Sequence, residues 1–408
     1  METRLKILIS AYACEPGRGS EPEVGWQWAL QAARFHDVTV LTRASNRADI
    51  EAGLVKVAPG MRPRFVYHDL PGPVLAMKRW LGWHALYIRL WHRSVRAVVR
   101  RLIAETRFDL LHHLTWTGFR YPVAVNAQGV PWVWGPVGGI EETPGRLLPW
   151  SHPLAACGEL LRNASNAAES RAPALGRRLR DAALVVAATR ETERVFAPLG
   201  VPVRLLPMAG LDLRDFSARE PRREPGLRLV FAGRMVLWKG IDLALHALAA
   251  SESEATLTFI GTGPGLGAAR ALAVRLGIAS RVEFRGALTR AATVAALTEF
   301  DAFLFPSLHD SGGFAVLEAM ACGLPVICLD AGGPALAVDE TCGVKVPLGS
   351  RAEVVARLAE AIRGYVREPE LRIRHSIGAR ARVAAEFDWQ RKGEALDAIY
   401  RGLAAKAS

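Results

Sequence analysis

The sequence predicts an α/β protein made of two doubly wound parallel-sheet domains. Its 408 residues indicate two domains, at about 100–200 residues per domain. Short runs rich in β-branched and aromatic residues alternate with stretches of helical length, which is typical of parallel sheets with crossover helices. A stretch rich in proline and glycine, residues 207–226, separates two similar halves. We therefore expect two Rossmann-like domains whose sheets turn their carboxyl ends toward a common cleft.

The expected division is a first domain at 1–206, a linker at 207–226, a second domain at 227–386 and a C-terminal helix at 387–408. The predicted strands of the first half are Leu5–Ser10, Val38–Thr42, Arg64–Tyr67, Leu110–His112, Val130–Trp134, Leu184–Ala187 and Val203–Leu206. Those of the second half are Arg228–Phe231, Thr256–Ile260, Val282–Phe284, Ala302–Phe305, Val326–Leu329 and Val344–Val346.

The composition excludes several classes of protein. No stretch of 18 uncharged apolar residues occurs, so we expect no transmembrane helix, and the first apolar run is too short for a signal peptide. The five cysteines are scattered without a C-x-x-C pair, which favours a reducing cytoplasm over a disulfide framework or a structural zinc. No D-x-D triplet and no metal-ligand spacing occurs, so neither a metal nor another cofactor is expected.

The most informative segment follows the predicted strand Ala302–Phe305. A polar loop, residues 307–313, leads to a stretch of helix-forming composition that ends at Gly323. Glycines at such a corner let the backbone approach a ligand, and the helix N-terminus attracts an anion. Asp310 and Glu318 flank the corner and can accept hydrogen bonds from hydroxyls. Phosphate and hydroxyls together indicate a nucleotide-sugar.

This segment resembles the glutamate-x7-glutamate region of family 4 retaining glycosyltransferases, which have the GT-B fold. Here Asp310 stands where the family has its first glutamate. The resemblance implies that Glu318 binds the ribose, Asp310 the donor sugar, and the backbone of Ser311, Gly312, Gly313 and Phe314 the phosphate or sugar. It also implies that the C-terminal helix returns to the first domain, which would be the acceptor side.

Residues 233–240 follow the predicted strand Arg228–Phe231 and match the family pattern G-R-x4-K-G. After Gly233, Arg234 and Lys239 can both stabilise the charge that develops on the β-phosphate of a departing nucleoside diphosphate. No residue is expected to act as a covalent nucleophile, because the resemblance implies front-face attack by the acceptor hydroxyl.

A second glycine loop, residues 261–267, imitates a dinucleotide fingerprint, but leucine at 266 breaks the G-x-G-x-x-G spacing. Three interpretations stay open: a loop beside the donor, a plain tight turn, or an NAD site. The family has G-x-G-P here, which places Gly261 and Gly263 near the nucleotide, and it contacts the base in the region of Leu288.

The first half carries two further glycine loops at predicted strand ends. The loop with Gly19, Ser20 and Glu21 resembles the family's first glycine-rich loop, which closes over phosphates and acceptor. The loop with Gly138 and Gly139 is expected to face the same cleft. Both are predicted to contact acceptor or phosphate.

Two adjacent histidines, His112 and His113, lie where many relatives have a D-[VL]-[VI]-H-x-H strand end. In those relatives a histidine lies near the transferred sugar. Alternation along a strand places the two side chains on opposite faces, so one of them reaches the cleft unless the strand ends between them. The alternative is that both are packing or surface histidines.

Residues 77–102 predict an amphipathic helix with one arginine-rich face and one aromatic face. Three interpretations of this helix stay open. It binds the surface of an anionic membrane, or it packs on the first sheet with its arginines in water. The third is nucleic-acid binding, for which no recognition module is present. The net charge of +12 is uneven, with 27 Lys and Arg against 17 Asp and Glu in residues 1–205 and 25 against 23 in residues 206–408. That excess faces an anionic partner or is an arginine-rich surface.

The family resemblance implies transfer of a sugar from a UDP- or GDP-linked donor to a hydroxyl of a glycan or lipid-linked acceptor. Anomeric configuration would be retained, and the enzyme would be cytoplasmic or peripheral on the inner membrane face, in polysaccharide or glycolipid synthesis. The alternatives are another GT-B enzyme such as an epimerase or a phosphorylase, a degenerate sugar-nucleotide binder, and a basic membrane- or nucleic-acid-binding protein.

Overall fold

The computed structural model describes residues 3–74, 84–126, 128–148, 153–222 and 226–407. The chain forms two compact units. The first contains the residues up to Ile140, Asn166–Ala209 and those from Trp389 onwards, and the second contains Glu141–Ser165 and Gly210–Asp388. The domain division made from the sequence stays a prediction. The compact units differ from it at residues 141–165, which belong to the second unit, and near residue 210, where the predicted linker is divided.

The first unit is built on a parallel sheet. Its strands are β1 (Lys6–Ala11), β2 (Asp37–Thr42), β3 (Arg64–Tyr67), β4 (Leu110–Thr115), β5 (Trp132–Val137), β6 (Ala182–Ala187) and β7 (Val203–Leu205). They lie in the order β3-β2-β1-β4-β5-β6-β7. All residues of β4 and β5 are buried, because helices cover both faces of a parallel sheet.

The second unit repeats this arrangement. Its strands are β8 (Arg228–Ala232), β9 (Thr256–Ile260), β10 (Val282–Gly286), β11 (Ala302–Phe305), β12 (Val326–Leu329) and β13 (Gly343–Val346). Their order is β10-β9-β8-β11-β12-β13, and every pair is parallel. The strand order reverses between β8 and β11, where doubly wound sheets bind their ligands.

The helices connect these strands. In chain order they are α1 (Ser20–Ala33), α2 (Arg47–Leu54), α3 (His84–Glu105), α4 (Pro153–Arg171), α5 (Pro173–Arg178), α6 (Arg190–Phe196), α7 (Ile241–Ala250), α8 (Leu266–Arg275), α9 (Arg290–Leu297), α10 (Phe314–Ala321), α11 (Gly332–Ala337), α12 (Arg351–Arg367), α13 (Pro369–Arg382) and α14 (Trp389–Ala407). None of the helices in the described ranges is long and apolar enough to cross a bilayer.

The predicted fold class is confirmed, and most strand bounds agree within two residues. The clearest difference is β4, which continues three residues past His112 to Thr115. It continues because β1 pairs along it as far as Thr115. The strand therefore does not end between the two histidines.

The amphipathic helix begins at His84 in the described part of the chain, and residues 77–83 of the prediction lie outside it. The aromatic face is buried as expected, with Tyr87 and Trp91 in the core. On the opposite face Arg89, Arg93 and Arg100 are exposed. The helix thus packs on the first sheet and presents its arginines outward.

Candidate functional site

The loops that follow β8 and β11 meet at the switch point of the second sheet. The N–H of Leu308 donates to the carbonyl oxygen of Trp238 at 2.7 Å. Gly240 has a φ of +68°, and a Cβ there would lie 1.9 Å from the carbonyl oxygen of Pro306. Only glycine permits this close approach of the two loops.

The approach pairs one predicted cation with one predicted carboxylate. The ammonium of Lys239 forms an ion pair with Asp310, and both side chains are mostly buried. The other carboxylate oxygen of Asp310 accepts the N–H groups of Gly312 at 3.0 Å and Gly313 at 2.9 Å. Although burial opposes it, Lys239 and these N–H groups hold the pKa of Asp310 below its usual value. Asp310 is therefore ionised at neutral pH.

This geometry corrects one detail of the predicted phosphate cradle. The N–H groups of Gly312 and Gly313 are bound by Asp310 and do not line an open anion site. The cause is the short aspartate side chain, which bonds its own backbone two and three residues on. A ligand phosphate at this helix end would have to displace the carboxylate.

Arg234 lies in the same loop and is exposed. Its guanidinium carbon lies 5.4 Å from the centre of the Trp238 ring, and no carboxylate among the described residues pairs with it. The Trp238 ring also stacks on His309, with centroids 5.5 Å apart and planes inclined by 15°. The arginine, the indole and the imidazole thus form a layered group beside the Lys239–Asp310 pair.

Two glutamates from residues 141–165 bind the loop that follows β11. Glu159 lies 3.1 Å from Nε2 of His309 and accepts the hydroxyl of Thr143 at 2.7 Å. Burial alone would raise its pKa, but His309, Thr143 and then Arg162 lower it to about 2. Glu141 accepts the hydroxyl of Ser311 at 2.6 Å.

Glu318 lies in the middle of α10, within the helix where it was predicted, but it has a partner that the sequence did not indicate. Its carboxylate accepts Nε of Arg290 at 2.7 Å, at the start of α9. The Glu318 side chain is 15% exposed and that of Arg290 is 47% exposed. One carboxylate oxygen thus stays available for a ribose hydroxyl while the charge is neutralised.

The second glycine loop packs against the Arg234 loop. The N–H of Met235 donates to the carbonyl oxygen of Thr262 at 2.8 Å. Gly261 and Gly263 have φ values of +138° and +156°, and Cβ atoms there would lie 2.0 Å and 2.4 Å from the carbonyl oxygens of Gly233 and Met235. These glycines are needed for contact between the two loops. Leu288, 40% exposed after β10, has no structural role of this kind.

In the first unit, the loop after β1 is closed by its own acids. Glu23 accepts the N–H of Gly17 at 2.7 Å, so it points back into the loop. Glu21 accepts the N–H of Thr117, and burial raises its pKa to about 7. Gly19, which precedes α1, and Ser20, the first residue of α1, have φ values of +63° and +52°.

The loop after β5 is held by the first unit's own backbone and side chains. Gly138 donates its N–H to the carbonyl oxygen of Thr117 at 3.0 Å, and the carbonyl oxygen of Gly139 accepts Nδ2 of Asn166 at 3.0 Å. Thr117 therefore connects this loop with Glu21.

The two histidines lie on opposite faces of β4, and both are buried. Nδ1 of His112 accepts the hydroxyl of Tyr400 at 2.6 Å, and Nε2 donates to the carbonyl oxygen of Gly135 at 2.6 Å. Burial lowers its pKa to about 4, so the ring is neutral. Both nitrogens of His112 are thus bound within the first unit, and its catalytic role stays a prediction.

His113 packs against His92, with ring centroids 5.1 Å apart. Burial holds its pKa well below the usual value. Its Nδ1 is buried without a hydrogen-bond partner among the described residues. A catalytic role for His113 stays a prediction.

Within the described ranges, no three His, Cys, Asp or Glu side chains lie close enough together to hold a metal ion. The residues that sequence reasoning missed are Trp238, His309, Glu159, Glu141 and Arg290. His309 had one signal, its place beside Asp310. Glu159 had none, because it lies 150 residues away.

Comparison with known proteins shows the family of the chain. Residues 226–364 match the family model described as glycosyl transferases group 1. A D-inositol 3-phosphate glycosyltransferase from Frankia alni is 30% identical, and the match covers 91% of each chain. The chain belongs to the group 1 glycosyl transferases.

A glycogen synthase from Mycobacterium tuberculosis is 31% identical over 194 residues, and the match spans 45% of its length. Among solved structures, the sucrose-phosphate synthase of Thermosynechococcus elongatus has a TM-score of 0.67 at 20% identity, covering 99% of this chain and 100% of that one. An Anabaena protein solved with UDP-glucose has a TM-score of 0.58 at 18% identity, covering 97% and 100%. At these identities the structures show the GT-B fold alone.

Proposed function

We propose that the protein transfers a sugar from a nucleoside diphosphate donor to an acceptor hydroxyl, with retention of anomeric configuration. The observation that carries this proposal is the meeting of Arg234, Lys239 and Asp310 at the switch point of the second sheet. A group 1 glycosyl transferase needs cations where the diphosphate leaves, and these are the two cations of that loop.

The chemistry assigned to each group follows from its charge and position. Arg234, which has no ion-pair partner among the described residues, would bind the diphosphate first. Lys239 would exchange Asp310 for the β-phosphate, and the released carboxylate would accept hydrogen bonds from the donor sugar. The departing phosphate oxygen would take the proton of the acceptor hydroxyl as the new glycosidic bond forms. Cations placed beforehand at the developing charge are worth most, because they need no reorganisation.

The base and the acceptor belong to the same proposal. Uracil is the first base to test, because the Anabaena structure contains UDP-glucose. The region of Leu288 would contact the base, and Glu318 the ribose. A lipid-linked acceptor is supported by the outward arginines of α3, among which Arg89, Arg93 and Arg100 have no carboxylate partner in the described part of the chain. They would attract an anionic bilayer.

The experiment is a calorimetric titration of the purified protein with UDP-, GDP- and ADP-glucose. One of them should bind, and at 100 times its Kd it should stabilise the fold by about 2.7 kcal/mol. Arg234→Ala and Lys239→Ala should each weaken binding of that donor at least tenfold, because each removes a charge-assisted contact. Lys345→Ala serves as the matched control, because Lys345 on β13 lies beside Asp330 and donates to the carbonyl oxygen of Ala335, not to a residue of these loops.

Equal affinity in the two loop variants and in the wild type would refute the proposed site. Binding without hydrolysis or transfer of the sugar would favour the degenerate binder. A product with inverted configuration in a proton NMR time course would contradict retention, and a free epimerised sugar-nucleotide would favour an epimerase.

A further inference from the structure

The second unit contains a cavity of about 740 Å³ that none of the roles above uses. It lies between α7, α8 and the start of α12, and part of its wall comes from residues 146–155. Most of the wall is apolar: Leu148, Val236, Leu237, Ile241, Leu272 and Leu276. The volume lies within the range of small-molecule sites.

The polar part of the wall is mainly cationic. Arg351 is paired with Asp242 at 2.5 Å. Arg146 and Arg275 also line the cavity, and neither has a carboxylate partner among the described residues. The wall thus carries three guanidiniums and one carboxylate, an excess of two positive charges.

The same excess acts on the histidine of this wall. Burial, and then Arg351 and Arg275 against the opposing effect of Asp242, hold the pKa of His246 below its usual value. His246 is therefore neutral at pH 7 and adds no charge. Arg146 and Arg275 thus have apolar neighbours and no ion pair on this wall, although the charge of Arg146 also acts on Glu353 outside the cavity.

We propose that this cavity binds an amphipathic anion, an apolar chain that ends in a phosphate. The chain would lie against the leucines and Ile241, and the phosphate would bind Arg146 and Arg275. The cavity also shares a loop with the candidate donor site, because Val236 and Leu237 lie between Arg234 and Lys239. A bound chain would therefore fix the loop that holds both donor cations.

The test is a titration of the full chain with octyl phosphate, kept below its micelle-forming concentration. Octanol and inorganic phosphate are the matched probes that lack one half of the ligand. Octyl phosphate should bind with one-to-one stoichiometry and at least about tenfold more tightly than either, because it engages both walls. No donor is present, so the result does not depend on the proposed transfer activity.

Two kinds of variant complete the test. Arg146→Ala and Arg275→Ala should each weaken octyl phosphate about tenfold, and Ala268→Phe should abolish its binding by filling the cavity. Arg270→Ala is the control, because Arg270 lies on the same helix but stacks on Phe284. Both arginines are exposed, so their variants keep the fold.

Octyl phosphate that binds no better than octanol or inorganic phosphate would overturn the proposal. So would equal affinities in Arg270→Ala, Arg146→Ala and Arg275→Ala. A donor affinity that rises with octyl phosphate in the wild type but not in Ala268→Phe would assign the ligand to the shared loop.

Discussion

The two sheets share one strand order around their switch points, but the side chains there differ in charge and burial. Beside β1 and β4 the first unit places a neutral, buried imidazole, with both nitrogens of His112 bound by Tyr400 and Gly135. Beside β8 and β11 the second unit places the exposed Arg234 and the ion pair of Lys239 with Asp310. Topology therefore fixes where a site lies, and the loop side chains decide whether that place holds the fold or binds a charged ligand.

Substitutions at the two switch points should thus separate activity from stability. Loss of the buried hydrogen bond between Tyr400 and His112 should mainly lower the free energy of unfolding. Loss of Arg234 or Lys239 should mainly weaken donor binding and slow transfer.

The largest effect is expected for Lys239→Ala. Removing a positioned cation from the developing phosphate charge should lower transfer by about 10²–10³-fold. Urea unfolding should change less, because the carboxylate of Asp310 keeps the N–H groups of Gly312 and Gly313 as partners. The rate of sugar transfer measures the first expectation, with Lys345→Ala expected to retain wild-type activity. Loss of stability in proportion to activity would remove the distinction between the two switch points.

Next is Tyr400→Phe in the first unit. It leaves Nδ1 of His112 buried without a donor, which should cost about 1–3 kcal/mol of unfolding free energy. Transfer by the folded protein should be unchanged. Tyr67→Phe is the control, because that hydroxyl donates to Glu51 at the surface, and it should change stability by less than about 0.5 kcal/mol. A Tyr400→Phe protein of normal stability but low activity would place His112 in the reaction.

Glu159→Gln tests the contact that supports the second site from residues 141–165. Loss of the charged acceptor for His309 and Thr143 should cost about 1–2 kcal/mol of unfolding free energy. Because the folded-state pKa of Glu159 is depressed to about 2, its contribution is present above the ordinary carboxyl pKa and is lost as the pH falls toward 2.

The stability gap between wild type and Glu159→Gln should therefore shrink as urea titrations are repeated from pH 6 down to pH 3. Glu169→Gln, which removes a partner of Arg178 in the first unit, is the control for a general carboxylate effect. A gap that is constant with pH would contradict the ion-paired state of Glu159.

The smallest effect is expected for Asp310→Asn. The amide oxygen still caps Gly312 and Gly313, but the ion pair with Lys239 is lost. Lys239 then meets the diphosphate without first leaving a carboxylate, so the donor Kd should fall about two- to fivefold, the size of a partly exposed ion pair. Transfer should slow, because the donor sugar loses its acceptor. Calorimetry measures donor binding and a kinetic assay measures transfer. A higher donor Kd in Asp310→Asn would contradict the proposal that Lys239 exchanges Asp310 for the β-phosphate.

The sequence was sufficient for local features and for the place of the site. The bounds of β3, β9, β11 and β12 agree with the prediction, because each is a short apolar run between clear turn signals. The expectation that Arg234, Lys239 and Asp310 belong to one site came from the family resemblance, and Lys239 and Asp310 do form an ion pair.

The remainder depended on contacts between distant parts of the chain. The assignment of residues 141–165 to the second unit rests on pairs such as Glu159 with His309 and Glu141 with Ser311, for which no local pattern exists. The burial of His112 depends on Tyr400, 288 residues later. The bonds from the N–H groups of Gly312 and Gly313 to Asp310 could have been predicted from the sequence. A short carboxylate side chain two residues before a pair of glycines favours such a local turn.

The most direct test of the central claim is a crystal structure of the protein with the sugar nucleotide that the titration selects. We predict that Arg234 and Lys239 lie within hydrogen-bond distance of the diphosphate and that Lys239 has left Asp310. A diphosphate bound elsewhere, with the Lys239–Asp310 pair intact, would contradict the account.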